Sequence, residues 1–278
     1  MHRHSWSAIL PQPLLTRRRV LHSLALVTTP SAQRARRPRV AAVFFDFGGT
    51  LFSYRQVGMD TGRLVYEAVG RLGVEAEPGR IGAAYREAMR DAYLALQEQP
   101  YYLHRELFSD TWRRFARGLG AEPRADWVDW LIESQRGIVT EKFELREDCL
   151  ATLAELRASG LRVAVVSNID DDYLHPMIER AGLADLLHHW TSSEEARSCK
   201  PDAAIYRYAC AKASCEPERV LFVGDSPEQD IAGARALGMV TALIREEDAP
   251  PPGSGVGAAG SPHHQISRLS EVLPLALK

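Results

Sequence analysis

The chain has 278 residues, 45% hydrophobic and 25% charged, enough to bury one large core with a subdomain or two small ones. No apolar run reaches the roughly 18 residues that a membrane span needs, which argues against a spanning helix. The net charge of −2 hides an asymmetry: eight of the 34 basic residues and none of the 36 acids lie in residues 1–39, so the rest is acid-rich and poorly suited to nucleic acid as its main partner.

Residues 1–39 form an Arg-rich leader with three open readings. The segment "TRRRVLHSLALVTTPSAQ" pairs arginines with a short apolar run, as an export signal does, but His22 and Ser23 interrupt that run. An Arg-rich, acid-free, Ser/Thr-containing stretch also fits an organelle transit peptide, and a disordered extension accounts for it equally well. The expected location is the cytoplasm, with export or organelle targeting as the alternative.

The first element is "VAAVFFDF", an unbroken apolar run that reads as a strand buried on both faces and ending at Asp46. From Phe52 to about Glu144 strand signals vanish. Helical periodicity takes over around 61–72, 79–98, 104–119 and 124–138, as in Leu64, Val65, Ala68, Val69 and Leu72. Trp112, Trp127 and Trp130 read as the core of this helical block rather than as a ligand platform. Inserted directly after the first strand, the block would stand over the sheet's carboxyl edge and could act as a lid.

Strands and helices then alternate. "DCLATLAELRASG" is helical, and "LRVAVVSN" is a strand ending at Ser167 and Asn168. The helices "DYLHPMIERAGL" and "DAAIYRYACAKA" follow, and "RVLFVGD" is a strand ending at Asp225. "SPEQDIAGARALG" opens a helix with Ser226 at the N-cap and Pro227 in its first position. "GMVTALIR" is a fourth strand. A Pro/Gly/Ser-rich loop over 248–264 carries His263 and His264, read as solvated rather than metal-binding, and "QISRLSEVLPLAL" reads as a final helix. Cys149, Cys199, Cys210 and Cys215 show no metal or redox spacing and read as reduced thiols. The alternation predicts an α/β fold, a doubly wound, Rossmann-like parallel sheet with an inserted α-helical cap. In such sheets ligands bind beyond the strands' carboxyl ends, where Asp46, Ser167 and Asp225 all fall. The expected division is residues 1–39 as leader, 40–52 plus 145–278 as the α/β core, and 53–144 as the cap.

Four short motifs lie in order on those strand ends and helix starts: "DFGGT" at 46–50, "VVSN" at 165–168, "CKPD" at 199–202 and "GDSPEQD" at 224–230. Together they resemble the haloacid dehalogenase-like (HAD) hydrolase superfamily, and the helical insert resembles its subfamily I cap. The resemblance implies a Mg²⁺-dependent hydrolase acting on a small phosphorylated metabolite, with neither nucleic acid nor a membrane as partner. It makes Asp46 the nucleophile, which would carry an aspartyl phosphate. The metal would be held by Asp46, the carbonyl of Gly48 and Asp225, with Asp230 as direct or supporting ligand. Ser167 and the backbone amide of Asn168 would bind phosphoryl oxygens, Lys200 would neutralise charge, and Thr50 would hold the first loop. Each residue alone also has an ordinary reading: a turn cap for Asp46, a helix cap for Ser167, helix-start charges for Asp225 and Asp230. Lys200 could be a plain exposed lysine, yet it is one of four in a chain with thirty arginines, which favours a wanted point charge.

The departure from the family pattern is Gly48, where the phosphatases usually place a second aspartate that protonates the leaving group and later activates water. Losing such a group typically costs roughly 10²–10⁴-fold in rate. Three readings stay open: a phosphatase that is slow or restricted to good leaving groups, a Mg²⁺- and phosphate-binding regulatory module, and a 2-haloacid dehalogenase, whose halide needs no proton and which does without the metal. The phosphonatase route needs a cap lysine, and none lies between Phe52 and Glu141. Asp170, Asp171, Asp172 and His104 are candidate proton sources, the three aspartates reading otherwise as a solvated helix start. Arg55, Arg63, Arg86, Arg105 and His104 are candidates to meet a second anionic group or to be ordinary surface charges.

Overall fold

The computed structural model describes residues 40–96, 99–245 and 261–277. The leader at 1–39 and most of the Pro/Gly/Ser-rich loop lie outside the described residues. Six parallel strands form one sheet in the order β3-β2-β1-β4-β5-β6: β1 (Ala42–Phe45), β2 (Arg162–Ser167), β3 (His189–Ser192), β4 (Val220–Gly224), β5 (Val240–Ile244) and β6 (His264–Ile266). The central strand β1 is buried along its whole length and pairs with β2 and β4. Its alternate side chains serve two cores. Val43 and Phe45 join Val163, Val165, Leu221 and Val223 on one face, while Ala42 and Phe44 join Ala164, Val166, Val220 and Phe222 on the other. Because period-two alternation feeds two covered faces, the strand sequence is apolar throughout.

Four helices lie between β1 and α5 (Cys149–Ala158): α1 (Tyr54–Leu72), α2 (Pro78–Leu96), α3 (His104–Gly118) and α4 (Ala125–Glu141). Their facing sides make a separate hydrophobic cluster around Leu64, Ala68, Trp112, Phe115 and Leu131. The tryptophans belong to that packing. Trp112 Nε1 donates to Gln135 Oε1 at 2.8 Å, Trp127 Nε1 donates to the Ala68 carbonyl, and Arg71 covers Trp130. The remaining helices are α6 (Asp171–Arg180), α7 (Ser193–Ala196), α8 (Ala203–Lys212), α9 (Gly233–Ala236) and α10 (Leu273–Ala276). Among the described residues no helix is long and apolar enough to cross a membrane.

The structure differs from the sequence expectation in four places. α1 starts at Tyr54 rather than near 61, because the Ser53 side chain caps it by accepting from Arg55 N. Two strands carried no signal: "HWTS" and "HQI" are short and polar, and their pairing with β2 and β5 supplies what propensity does not. The second of them overturns the loop reading of the two histidines. His264 begins β6, and His263 Nδ1 accepts from Thr241 N at 3.1 Å. The expected last helix breaks into β6, a 3₁₀ turn at Leu269–Val272 and α10, since the Glu271 carboxylate accepts from both Ser267 N and Arg268 N and ends any helix before Leu269. Finally, the expected helix at 226–238 opens as a π turn, Pro227–Ala232, before α9.

Candidate active site

β1 delivers Asp46 to the carboxyl edge, and Asp46 N extends the ladder by donating to Val223 O at 2.9 Å. The Asp46 carboxylate is nearly enclosed. Oδ2 accepts from Thr50 Oγ1 at 3.2 Å, and Oδ1 accepts from Ser167 Oγ at 3.3 Å and Lys200 Nζ at 2.6 Å. Lys200 is 3% exposed and its ammonium reaches Asp230 Oδ1 as well, also at 2.6 Å. The lysine is aimed by a reciprocal pair: Lys200 N donates to Asn168 Oδ1 at 2.7 Å, and Asn168 Nδ2 donates to Lys200 O at 2.9 Å. Asn168 thus works here through its side chain.

β4 delivers Asp225, and the π turn swings Asp230 back beneath it, where Asp230 Oδ2 accepts from Ser226 N at 2.9 Å. A Cβ on Gly224 would overlap Asp230, so the strand must end in glycine for the carboxylate to fit. Carboxylate oxygens of Asp46, Asp225 and Asp230 lie within 4.8 Å of one another. Three acids then share one buried cation. Burial, reinforced by Asp46 and Asp230, pushes the Asp225 carboxyl up. Burial and Asp46 push Asp230 up against the opposing pull of Lys200. Burial works against the Lys200 ammonium, but Asp230 and Asp46 outweigh it and hold the pKa above its ordinary value.

The glycine pair after the nucleophile has two different reasons. Gly49 takes φ +79°, and a side chain there would run into the Asp225 carboxylate. Gly48 has no such backbone demand; a Cβ there would overlap the Tyr54 hydroxyl. Tyr54 is half exposed along its ring, yet its hydroxyl turns inward over the acids, and burial together with Asp46, Asp225 and Asp230 raises its pKa well above the usual phenol range. The phenol therefore stands in the space that a side chain at 48 would fill.

Of the aspartates after the second motif, Asp171 and Asp172 do open α6, half-buried and exposed respectively, whereas Asp170 is not solvated, and all three stand apart from the Asp46 cluster. Asp170 is fully buried and accepts from His104 N at 2.8 Å and Arg105 N at 2.9 Å, so it caps α3 of the insert from the core side. Burial would raise its pKa, but hydrogen bonds from His104 and Arg105 outweigh that and hold it below the ordinary carboxylate value. Asp171 accepts from Ser192 Oγ, and Asp172 is exposed. Arg105 is engaged with Glu194 at 2.6 Å and Arg63 with Asp60 at 2.8 Å, and Arg55 is exposed, leaving Arg86 and His104 among those candidates on the cavity wall.

Three residues with structural parts in the site were not singled out from sequence. Tyr54 carries no motif. Gln229 bridges Asn168 and Tyr93 of the insert. Arg146 donates to the carbonyls of Gly49 at 2.7 Å and Thr50 at 2.9 Å, and an arginine among thirty offers no signal. Above the acids a cavity of about 660 Å³ runs from Gly48, Ser167 and Asn168 into the helical insert.

Comparison with known proteins bears on this edge. The haloacid dehalogenase-like hydrolase profile matches residues 40–238. Ribulose-1,5-bisphosphate 5-phosphatase of Halopiger xanaduensis is 27% identical over 84% of this chain and 98% of its own length. (S)-2-haloacid dehalogenase 1 of a Pseudomonas species is 33% identical, but over 47% of this chain and 56% of its own. A magnesium-bound HAD-hydrolase of Bacillus subtilis has the same fold, with a TM-score of 0.69 over 86% of this chain and 99% of that one, at 19% identity. With four motifs on one edge of a doubly wound sheet and a family match across most of that sheet, the chain belongs to the haloacid dehalogenase-like hydrolases.

Proposed function

We propose that this hydrolase is a Mg²⁺-dependent phosphomonoesterase, with Asp46 as nucleophile and the four helices at 53–144 as its cap. The observation that carries the reading is the charge count at the carboxyl edge: three clustered carboxylates against the single ammonium of Lys200. The donor set fits the metal, being all oxygen, closely spaced and short of positive charge. Asp46, the Gly48 carbonyl and Asp225 would hold the ion, with Asp230 beside them. A bound Mg²⁺ would neutralise the acids and polarise a phosphoryl oxygen.

The residues divide the remaining work. The Ser167 hydroxyl and the Asn168 backbone N–H bind phosphoryl oxygens, and Lys200 keeps the approach of two anions from being repulsive. An Asp46 oxygen bonds to phosphorus as the ester P–O bond breaks and the leaving oxygen departs with the bonding pair, taking its proton from water. Water then attacks that aspartyl phosphate, releasing inorganic phosphate and restoring the carboxylate. With glycine at 48, the leaving oxygen meets the Tyr54 hydroxyl instead of a carboxylic acid, which favours leaving groups that need little protonation. The substrate class is a small phosphorylated metabolite.

Gly48 supports a second reading, halide displacement from a 2-haloacid, which needs no leaving-group proton and has a named relative. Against it stands the crowding of Asp225 and Asp230, which a metal-free reaction does not require. One experiment separates the two. Phosphate release from p-nitrophenyl phosphate in Mg²⁺, abolished by EDTA, is expected; halide release from 2-chloropropionate in EDTA, without phosphatase activity, would replace this reading by the second.

A further inference from the structure

The cavity over the site has a chemistry of its own. Its walls include Phe47, Phe52, Val57, Met89, Leu107 and Phe108, and Arg86, at the exposed rim, is the only permanently charged residue lining it among the described residues. Several polar groups on the wall are committed elsewhere. Gln135 accepts from Trp112, and Gln229 binds Asn168 and Tyr93. Two polar atoms on residues of this wall are buried without a hydrogen-bond partner, the Tyr85 hydroxyl and His104 Nδ1, the latter 3.6 Å from Asp170. An orphaned buried hydroxyl carries a desolvation cost that a bound group can relieve.

Polyhydroxylated substrates fit such a wall poorly. Each sugar hydroxyl taken from water without a partner costs on the order of 1–3 kcal/mol, and the spare donors and acceptors here are few. A short sugar phosphate would also leave much of the 660 Å³ unfilled, a volume in the range that holds drug-sized ligands. An apolar body gains instead by leaving water. We propose that the preferred substrate is the monophosphate ester of a bulky apolar alcohol, its phosphoryl group at Ser167 and Asn168, its body among Phe52, Met89 and Phe108, and at most one polar group facing Tyr85. This inference rests on the phosphatase reading only for the phosphoryl end of the ligand.

Non-hydrolysable alkylphosphonates test it by calorimetry with Mg²⁺ present. From methyl through butyl to octyl, affinity should rise about three- to fourfold per methylene, the factor that burial of one CH₂ supplies. Met89→Glu, at a residue 41% exposed and outside the packed core, should flatten the series. A flat or absent phosphonate series overturns the proposal, as does a slope that survives Met89→Glu. The same chain lengths run as phosphate esters keep the two readings apart. No turnover with a rising phosphonate series defeats the phosphatase reading and supports the cavity assignment; turnover of p-nitrophenyl phosphate with a flat series defeats the cavity assignment alone.

Discussion

Two groups of buried acids lie at the same edge of this sheet and are built in opposite ways. Asp46, Asp225 and Asp230 crowd together with Lys200 as their shared cation, and Asp225 and Asp230 hold their protons more tightly than free carboxylates do. Asp170, buried just as deeply, collects two backbone N–H groups and the Arg105 side chain at 3.4 Å, and gives up its proton more readily than usual. Asp170 also clusters with Asp172 and Glu194 around the guanidinium of Arg105, so the two groups differ in the N–H donors that reach the buried carboxylate rather than in their count of acids. Burial of an acid is thus no guide to its role; the count of donors around it is. A carboxylate with its donors complete acts as a latch, here between the core and α3, whereas an undersupplied cluster is suited to hold a cation.

The largest test of that contrast is Asp46→Asn. It should lower phosphate release by at least about 10³-fold, since the nucleophile is gone, while relieving rather than adding repulsion, so the melting temperature should not fall. Next is Lys200→Met. Without its ammonium the triad loses its buried counter-charge, and urea unfolding in EDTA should show a loss of about 3–5 kcal/mol, with Mg²⁺ restoring more stability than it adds to the parent protein. Asp170→Ala should cost somewhat less, about 2–4 kcal/mol, by orphaning two amides at the start of α3. Its stability deficit should be the same in Mg²⁺ and in EDTA. If Mg²⁺ rescued Asp170→Ala as well, the division between latch and cation site would fail.

Much of this was legible in the sequence because unbroken apolar runs ending in polar residues describe parallel strands and their carboxyl edge directly. Asp46, Ser167 and Asp225 sit on such ends, and the structure brings them together with Lys200 and Asp230. The edge strands were silent, since "HWTS" and "HQI" are strands by pairing rather than by composition. The role of Asp170 was also silent: a helix-start aspartate looks the same whether it caps its own helix or, as here, a helix 65 residues earlier in the chain. Tyr54 was invisible for the same reason, because only three-dimensional structure lays its hydroxyl over Gly48.

That overlap sharpens the expectation for Gly48→Asp. Alone, the substitution must displace the Tyr54 hydroxyl, so it should leave turnover on alkyl phosphates unchanged or lower. Paired with Tyr54→Ser, which clears the space, it should raise turnover on alkyl phosphates by about 10–100-fold while changing p-nitrophenyl phosphate much less, because only the poorer leaving group needs the added acid. A gain from Gly48→Asp alone would mean that the tyrosine yields freely and does not guard the position.

The smallest effect concerns a buried base that belongs to neither acidic group. His189 on β3 is buried, its Nε2 has no hydrogen-bond partner, and burial, followed by the Lys212 charge, holds its pKa down to about 4. Above the unfolded value of about 6.5 both states are neutral and the full stability is present. As pH falls below 6.5 the unfolded chain takes up the proton first, so stability declines through the window down to about 4. Between pH 7.5 and 5.5 the loss should be about 1 kcal/mol. His188, held down by burial and by Arg157 and Arg162, adds in the same direction. Asp225 and Asp230, held up in the folded state, push the opposite way over this range, so the His189 contribution is read as a difference: the urea midpoint of the parent in EDTA should fall relative to that of His189→Gln as pH drops. Asp170 cannot produce this slope, because a carboxylate held below its ordinary value loses its contribution only at lower pH, so a slope unchanged by His189→Gln but removed by Asp170→Ala would overturn both assignments.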